Sequence, residues 1–176
     1  MANQKLTDKT ALEQQAGSGD LLMVVDVSDT SSSAQGTSKK MDFKYVIQTD
    51  KFSLSNAEVQ ALDSTPKTLV GALSGYMVTP ISVTLLVTYA SSTESSNNSL
   101  YFGFDPSQDA LSWDTSSRIM GSVTTDKTYI YGGNQTGQGV KASSILNTAF
   151  SMWSNGAFNG GWTADVYVTY AYTKVL

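Results

Sequence analysis

The chain contains no cysteine and no histidine. The first absence excludes disulfides and thiolate-bound zinc. The second removes the commonest general base and the commonest metal ligand, so Ser–His and Cys–His nucleophilic pairs cannot form within the chain. Charge is also sparse, with 15% charged residues, 11 basic against 15 acidic and a net charge of -4. Arg118 is the sole arginine. A nucleic-acid surface needs a basic stripe, and the nearest approach to one, Lys39–Lys40, is two residues long. Nothing approaches the ~18 consecutive apolar residues of a membrane helix, so no membrane insertion is expected. Met1 to Thr10 has no apolar core of the secretory kind. These absences point away from an enzyme, and no cofactor or metal is expected.

What fills the space is hydroxyl. Ser and Thr make up roughly a quarter of the 176 residues, a composition that suits strands and turns. A chain of this length buries roughly two thirds of its unfolded surface and needs no covalent staple.

The pattern along the chain is that of an all-β protein. Leu21 to Val27, LLMVVDV, is a compact β-branched run of strand length, and Ser28 to Lys40 reads as a polar loop. Met41 to Gln48 predicts a strand with Phe43, Tyr45 and Ile47 on one side. A texture change near Thr49–Lys51 suggests two parts, residues 1–50 and 51–176. Beyond it, Ala57 to Leu62 alternates like a strand, and Asp63 to Pro66 is a turn. Thr68 to Leu73, Pro80 to Ala90, Leu100 to Phe104 and Thr124 to Tyr131 are further strands. Asp105 to Gly121 looks irregular, and Ile145 to Trp153 is read as strand. Ser91 to Ser99 and Gly132 to Gly139 are polar tips. From Trp162 to Tyr172 every second residue is apolar, the two-residue period of a half-buried strand. Strands separated by turns every ~8–12 residues predict a β-sandwich or jelly roll.

Few residues carry candidate chemistry. Gly132 and Gly137 have phosphate-loop spacing, but Gln138 and Gly139 stand where Lys and Ser or Thr would be needed. Asp105, Asp109 and Asp114 could supply the carboxylates of a glycosidase or a calcium site, yet they lie among Ser, Pro and Gln without an Asp-x-Asp-x-Asp-Gly loop. Asp26 and Asp29 could hold a cation or simply form turns. Trp113, Trp153 and Trp162, with Tyr101, Tyr129 and Tyr131, could line a glycan-stacking platform, with Trp113, Tyr129, Tyr131 and Asn134 as the expected ligand contacts. The alternative is that such rings fill a core or a subunit interface.

Two stretches carry a family resemblance. The first runs from Leu6 to Ile47, with Leu21, Leu22, Val24, Val25, Asp26, Val27, Gly36, Thr37, Lys39 and Lys40 at the matching positions. It resembles the N-terminal segment of bacteriophage fibre and virion appendage proteins. The second, AEVQALDSTPKTLVGALSG from Ala57 to Gly75, is similar to the opening of a β-rich domain of phage structural proteins, departing from it at Gly71–Gly75. The resemblance implies a virion component of the head-fibre or tail-fibre kind, usually a homotrimer. Its partners would be capsid or tail proteins, and a bacterial surface glycan under the receptor-binding alternative. Residues 1–50 would be the attachment and oligomerisation segment, through Leu21, Leu22, Val24, Val25, Val27, Phe43, Tyr45 and Ile47. Residues 51–176 would form the projecting sandwich. The family has no catalytic motif to carry over.

Overall fold

The computed structural model describes residues 21–42, 46–104, 111–114, 119, 121, 124–132 and 145–174. The chain divides into two compact units, Met1–Tyr45 and Val46–Leu176.

The first unit contains a two-stranded antiparallel ribbon, β1 (Leu21–Asp26) and β2 (Thr37–Asp42), paired without a register break from Leu21↔Asp42 to Asp26↔Thr37. The predicted loop Ser28–Lys40 is therefore partly strand. Among the described residues β2 pairs only with β1, and its stretch Thr37 to Lys40 is polar.

Among its described residues the second unit holds eight strands. In chain order they are β3 (Gln48–Leu54), β4 (Lys67–Val70), β5 (Tyr76–Tyr89), β6 (Leu100–Phe104), β7 (Leu111–Asp114), β8 (Lys127–Gly132), β9 (Phe150–Ser154) and β10 (Trp162–Lys174). They form two four-stranded sheets, ordered β3-β10-β5-β8 and β4-β9-β6-β7, with every neighbouring pair antiparallel. With the strands of this unit counted from one, the orders are 1-8-3-6 and 2-7-4-5. That is the strand order of an eight-stranded jelly roll, so the predicted all-β sandwich class holds.

The two-residue period explains the packing. Along β10, Trp162, Ala164, Val166, Val168 and Tyr170 are buried, while Thr163, Asp165, Tyr167 and Thr169 are half exposed. On β5 the buried series is Val83, Leu85 and Val87. These face Leu100, Phe102 and Phe104 of β6 and Phe150 and Met152 of β9 in one continuous core. The rings of Phe102 and Tyr131 meet between the sheets at 5.4 Å. Strands β6 and β9 are buried on both faces, since Tyr101 and Trp153, opposite one another and 5.8 Å apart, are covered as well. Pro80 is tolerated inside the long strand β5 because the register with β10 shifts there, leaving Ile81 out of the pairing.

Three sequence expectations change. Residues 57–62 do not form a strand: Asn56–Gln60 is a short helix, α1. Ser55 caps it, its hydroxyl accepting from the Glu58 N–H while the Glu58 carboxylate accepts from the Ser55 N–H. Val59 is the residue it buries, and Leu62, in the turn after it, is buried as well. Leu111–Asp114, inside the stretch expected to be irregular, is strand β7. Of the stretch 145–153, only the part from Phe150 onward is strand, and it runs on to Ser154.

Candidate interaction surfaces

The β1–β2 ribbon presents its apolar residues to solvent. Side chains alternate across a strand, so Met23, Val25 and Val27 share one face. They are 68%, 58% and 75% exposed. Leu22 and Val24 lie on the other face, half exposed, opposite Met41 and Lys39. Three large hydrophobes in a row make an exposed apolar stripe along one face of the ribbon.

The turn beneath this face is firmly built. Asp26 Oδ1 accepts from the Ser28 N–H at 3.1 Å and from its hydroxyl at 2.6 Å. Asp29 Oδ1 accepts from the Ser31 N–H at 3.0 Å, and the Thr37 hydroxyl donates to the Asp29 carbonyl at 2.8 Å. The Lys39 ammonium lies 2.6 Å from Asp29 Oδ2 and 3.5 Å from Asp26 Oδ2. Hydrogen bonds from Lys39 and Ser31 hold the Asp29 carboxyl at about 2, and those from Ser28 lower that of Asp26. The two acids considered as a cation site thus already hold a cation of their own. Gly36 closes the turn at φ +114°, and a Cβ there would lie 2.7 Å from the Asp26 carbonyl oxygen.

Of the residues expected to attach or oligomerise, Leu21, Leu22, Val24, Val25 and Val27 lie on β1 or directly after it. Ile47 is 62% exposed just before β3, in the second unit. Phe43 and Tyr45 lie outside the described residues. The described rings of the candidate glycan platform belong to the core or pack against it. Trp113 is buried edge-on against Phe150 at 5.9 Å, and Tyr129 and Tyr131 are partly buried against the core. Asn134, Asp105 and Asp109 lie outside the described residues. Among the described residues no cluster of three or more acids is placed to hold a metal.

No known protein family matches the chain, and no curated protein does. Solved structures do. One is a cyanophage Pam1 capsid asymmetric unit, with a TM-score of 0.41 and 13% identity, over 97% of this chain and 97% of that one. A second is an acid-stable capsid of the Helicobacter pylori bacteriophage KHP30, with a TM-score of 0.37 and 12% identity, over 89% and 99%. The PRD1 vertex protein P5 is similar at a TM-score of 0.37 and 16% identity, over 90% and 85%.

Sequence reasoning missed one residue entirely. Glu94 sits in Ser91–Ser99, read from the sequence as a polar tip, yet it is 2% exposed. Its Oε1 accepts from the Ser96 N–H at 2.9 Å. Its Oε2 accepts from the N–H groups of Asn159 and Gly160, at 3.1 and 2.8 Å, and from the Trp162 indole at 3.3 Å. Burial opposes its ionisation, but the donors from Ser96, Gly160 and Trp162 prevail and its pKa is lowered. Glu94 therefore pins the β5–β6 loop to the β9–β10 loop. Gly161 lets the loops touch: a Cβ there would lie 2.1 Å from the Ser91 hydroxyl. No local pattern marks Glu94, because all its donors but Ser96 arrive from more than 60 residues away.

Proposed function

We propose that this protein is a structural subunit of a bacteriophage virion, a head-fibre or related appendage component that attaches through its N-terminal ribbon and assembles as a homotrimer. The observation that carries this reading is the exposed stripe of Met23, Val25 and Val27. It lies within the segment whose sequence resembles the attachment region of phage appendage proteins. The stripe gains a purpose once it is covered in an assembly, where burial contributes roughly 25 cal/mol per Å² of apolar surface. The sandwich, with its core complete, is the part that projects. The absence of histidine and cysteine fits a chain whose work is shape and contact.

The test is incorporation into virions of the encoding phage. The wild-type chain is expected in purified particles. A variant with Met23, Val25 and Val27 all changed to Lys is expected to fold its sandwich and be missing from them. Wild-type protein absent from particles would sink the virion reading. A triple variant retained at wild-type level would sink attachment through the ribbon.

A further inference from the structure

Both Asn–Gly pairs of the chain, Asn155–Gly156 and Asn159–Gly160, lie in the connection from β9 to β10. An Asn followed by Gly carries its own nucleophile. The Gly nitrogen can close a five-membered ring on the Asn side-chain carbonyl, and no side chain stands in its way. Ring closure needs a free nitrogen, a polarised carbonyl and a leaving amine that nothing holds.

One of these needs is met at both pairs. Asn155 Oδ1 accepts from the Ser99 N–H at 2.9 Å, and Asn159 Oδ1 from the Ser95 N–H at 3.0 Å. Each donor faces the oxygen on which charge would develop as the ring closes.

The other two needs separate the pairs. The Gly160 N–H donates to the buried Glu94 carboxylate at 2.8 Å, and the Asn159 N–H to the same oxygen at 3.1 Å. The Asn159 side-chain amide donates to the Ser95 hydroxyl at 2.9 Å. Gly160 is also buried, and a Cβ there would lie 2.8 Å from the Trp162 ring. Nucleophile and leaving group are thus both engaged at this pair. Asn155 is exposed and Gly156 half-buried. No acceptor takes the Gly156 N–H or the Asn155 side-chain amide. The Asn155 N–H reaches the Ser99 carbonyl at 3.4 Å, so Asn155 is tied to Ser99 through its main chain and its side-chain oxygen alone.

We propose that Asn155–Gly156 is a self-modification site, at which Asn155 becomes aspartate or isoaspartate, and that Glu94 protects Asn159–Gly160 from the same reaction. The Gly156 nitrogen gives up its proton and bonds to Asn155 Cγ. The Cγ–Nδ2 bond breaks, and the amide nitrogen leaves with that proton as ammonia. Water then opens the cyclic imide at either carbonyl. Nothing is oxidised or reduced, and water is the only co-reactant. Opening to aspartate keeps an oxygen for the Ser99 N–H and adds a negative charge. Opening to isoaspartate routes the main chain through the former side chain, which lengthens it and displaces the paired bonds to Ser99. The loop then loosens beside the start of β6, while the Glu94 pin a few residues on stays in place. The inference goes beyond the virion reading and does not depend on it.

The test follows both asparagines in one sample. Full-length protein is held in mildly alkaline buffer, folded in one arm and denatured in the other. Peptide mapping with fragmentation locates each converted asparagine, and enzymatic methylation counts the isoaspartate. In denaturant the two pairs are expected to convert at similar rates. In the folded protein Asn155 is expected to convert at least about tenfold faster than Asn159, because only Gly160 must first give up a hydrogen bond to a charged group. Equal rates in the folded protein, or Asn159 ahead, would overturn the proposal. So would an unchanged Asn155 after several half-lives of the denatured chain. Glu94→Gln, with hydrogen exchange of β5 showing the sandwich folded, is expected to raise the rate at Asn159 relative to Asn155. An unchanged ratio would overturn the protection assigned to Glu94.

Discussion

The two units of the chain treat the same kinds of side chain in opposite ways. In the sandwich, Val83, Leu85, Val166 and Val168 point inward and are fully buried, and the hydroxyls of Thr49, Thr169, Thr79 and Thr173 pair on its flank. In the ribbon, Met23, Val25 and Val27 point outward, and short polar bonds hold the turn. The sandwich draws its stability from itself. The ribbon has a defined turn and an apolar face that is exposed, which the proposed assembly would cover. The difference separates substitutions that unfold the protein from those that only disconnect it.

The sharpest break of this contrast is in the core. Phe102, with no exposed surface, touches Tyr131 across the sandwich. Phe102→Ala is expected to cost about 3–5 kcal/mol, from lost transfer energy and the cavity left behind. Denaturant titration of the full chain reads it directly. A loss below about 1 kcal/mol would mean that the two sheets do not share one core.

Next in size is the pin between the loops. Glu94→Gln keeps the shape but sets an amide N–H₂ against N–H donors, and about 2–3 kcal/mol of sandwich stability is expected to go. The pH dependence follows from the direction of the shift. The folded pKa of Glu94 lies below its ordinary 4.5, so the unfolded chain takes up the proton first. The stabilisation is complete above about pH 4.5 and is lost as pH falls through the folded value. Glu58, held at about 2 by the Ser55 N–H and Lys67, loses its contribution in the same direction. Stability is expected to be flat from pH 6 to 8, where no histidine titrates. In acid titration Glu94→Gln should flatten part of the decline, and a wild-type curve level down to pH 3 would contradict the assignment.

How much of this could be read in advance depended on where each residue's partners lie. The faces of β10 and β5 were legible because a two-residue period is a local signal of a core on one side. The rim of the sandwich was not. At Ala57–Ala61, Val59 fits both a strand alternation and a short helix that buries it. The Ser55–Glu58 capping pair, which decides between them, stood in the sequence unused. Strand β2 was hidden by its hydroxyls and lysines, since its only demand is to match β1. Glu94 could not be found locally at all. The apolar run of β1, expected to attach, was visible in the sequence. The exposure of Met23, Val25 and Val27 was not, because it depends on how the rest of the chain packs.

A smaller effect tests the cap that sequence reasoning passed over. Ser55→Ala removes the acceptor for the Glu58 N–H and is expected to cost about 1 kcal/mol, read as a lower denaturation midpoint with an unchanged slope. In the ribbon, Gly36→Ala puts a methyl 2.9 Å from the Val27 Cα at a φ of +114°. Hydrogen exchange at β1 and β2 should quicken while that of β5 and β10 stays as it was, because the strain is confined to the first unit.

The smallest effect on stability carries the most weight for the comparison. Val25 is 58% exposed and opposite Ser38, so Val25→Ser removes almost no buried surface from the isolated chain. Its unfolding midpoint should stay within about 0.5 kcal/mol of wild type, as for other exposed positions. Incorporation into virions should nevertheless fall, because the methyl groups lost are those that a partner covers. A core substitution such as Phe102→Ala lowers incorporation too, but only in step with the folded fraction. If Val25→Ser lowered incorporation and stability together, the ribbon would be part of the sandwich's own fold. If it lowered neither, the apolar stripe would have no covering partner. Loss of incorporation at full stability is the result that two units with different sources of order require.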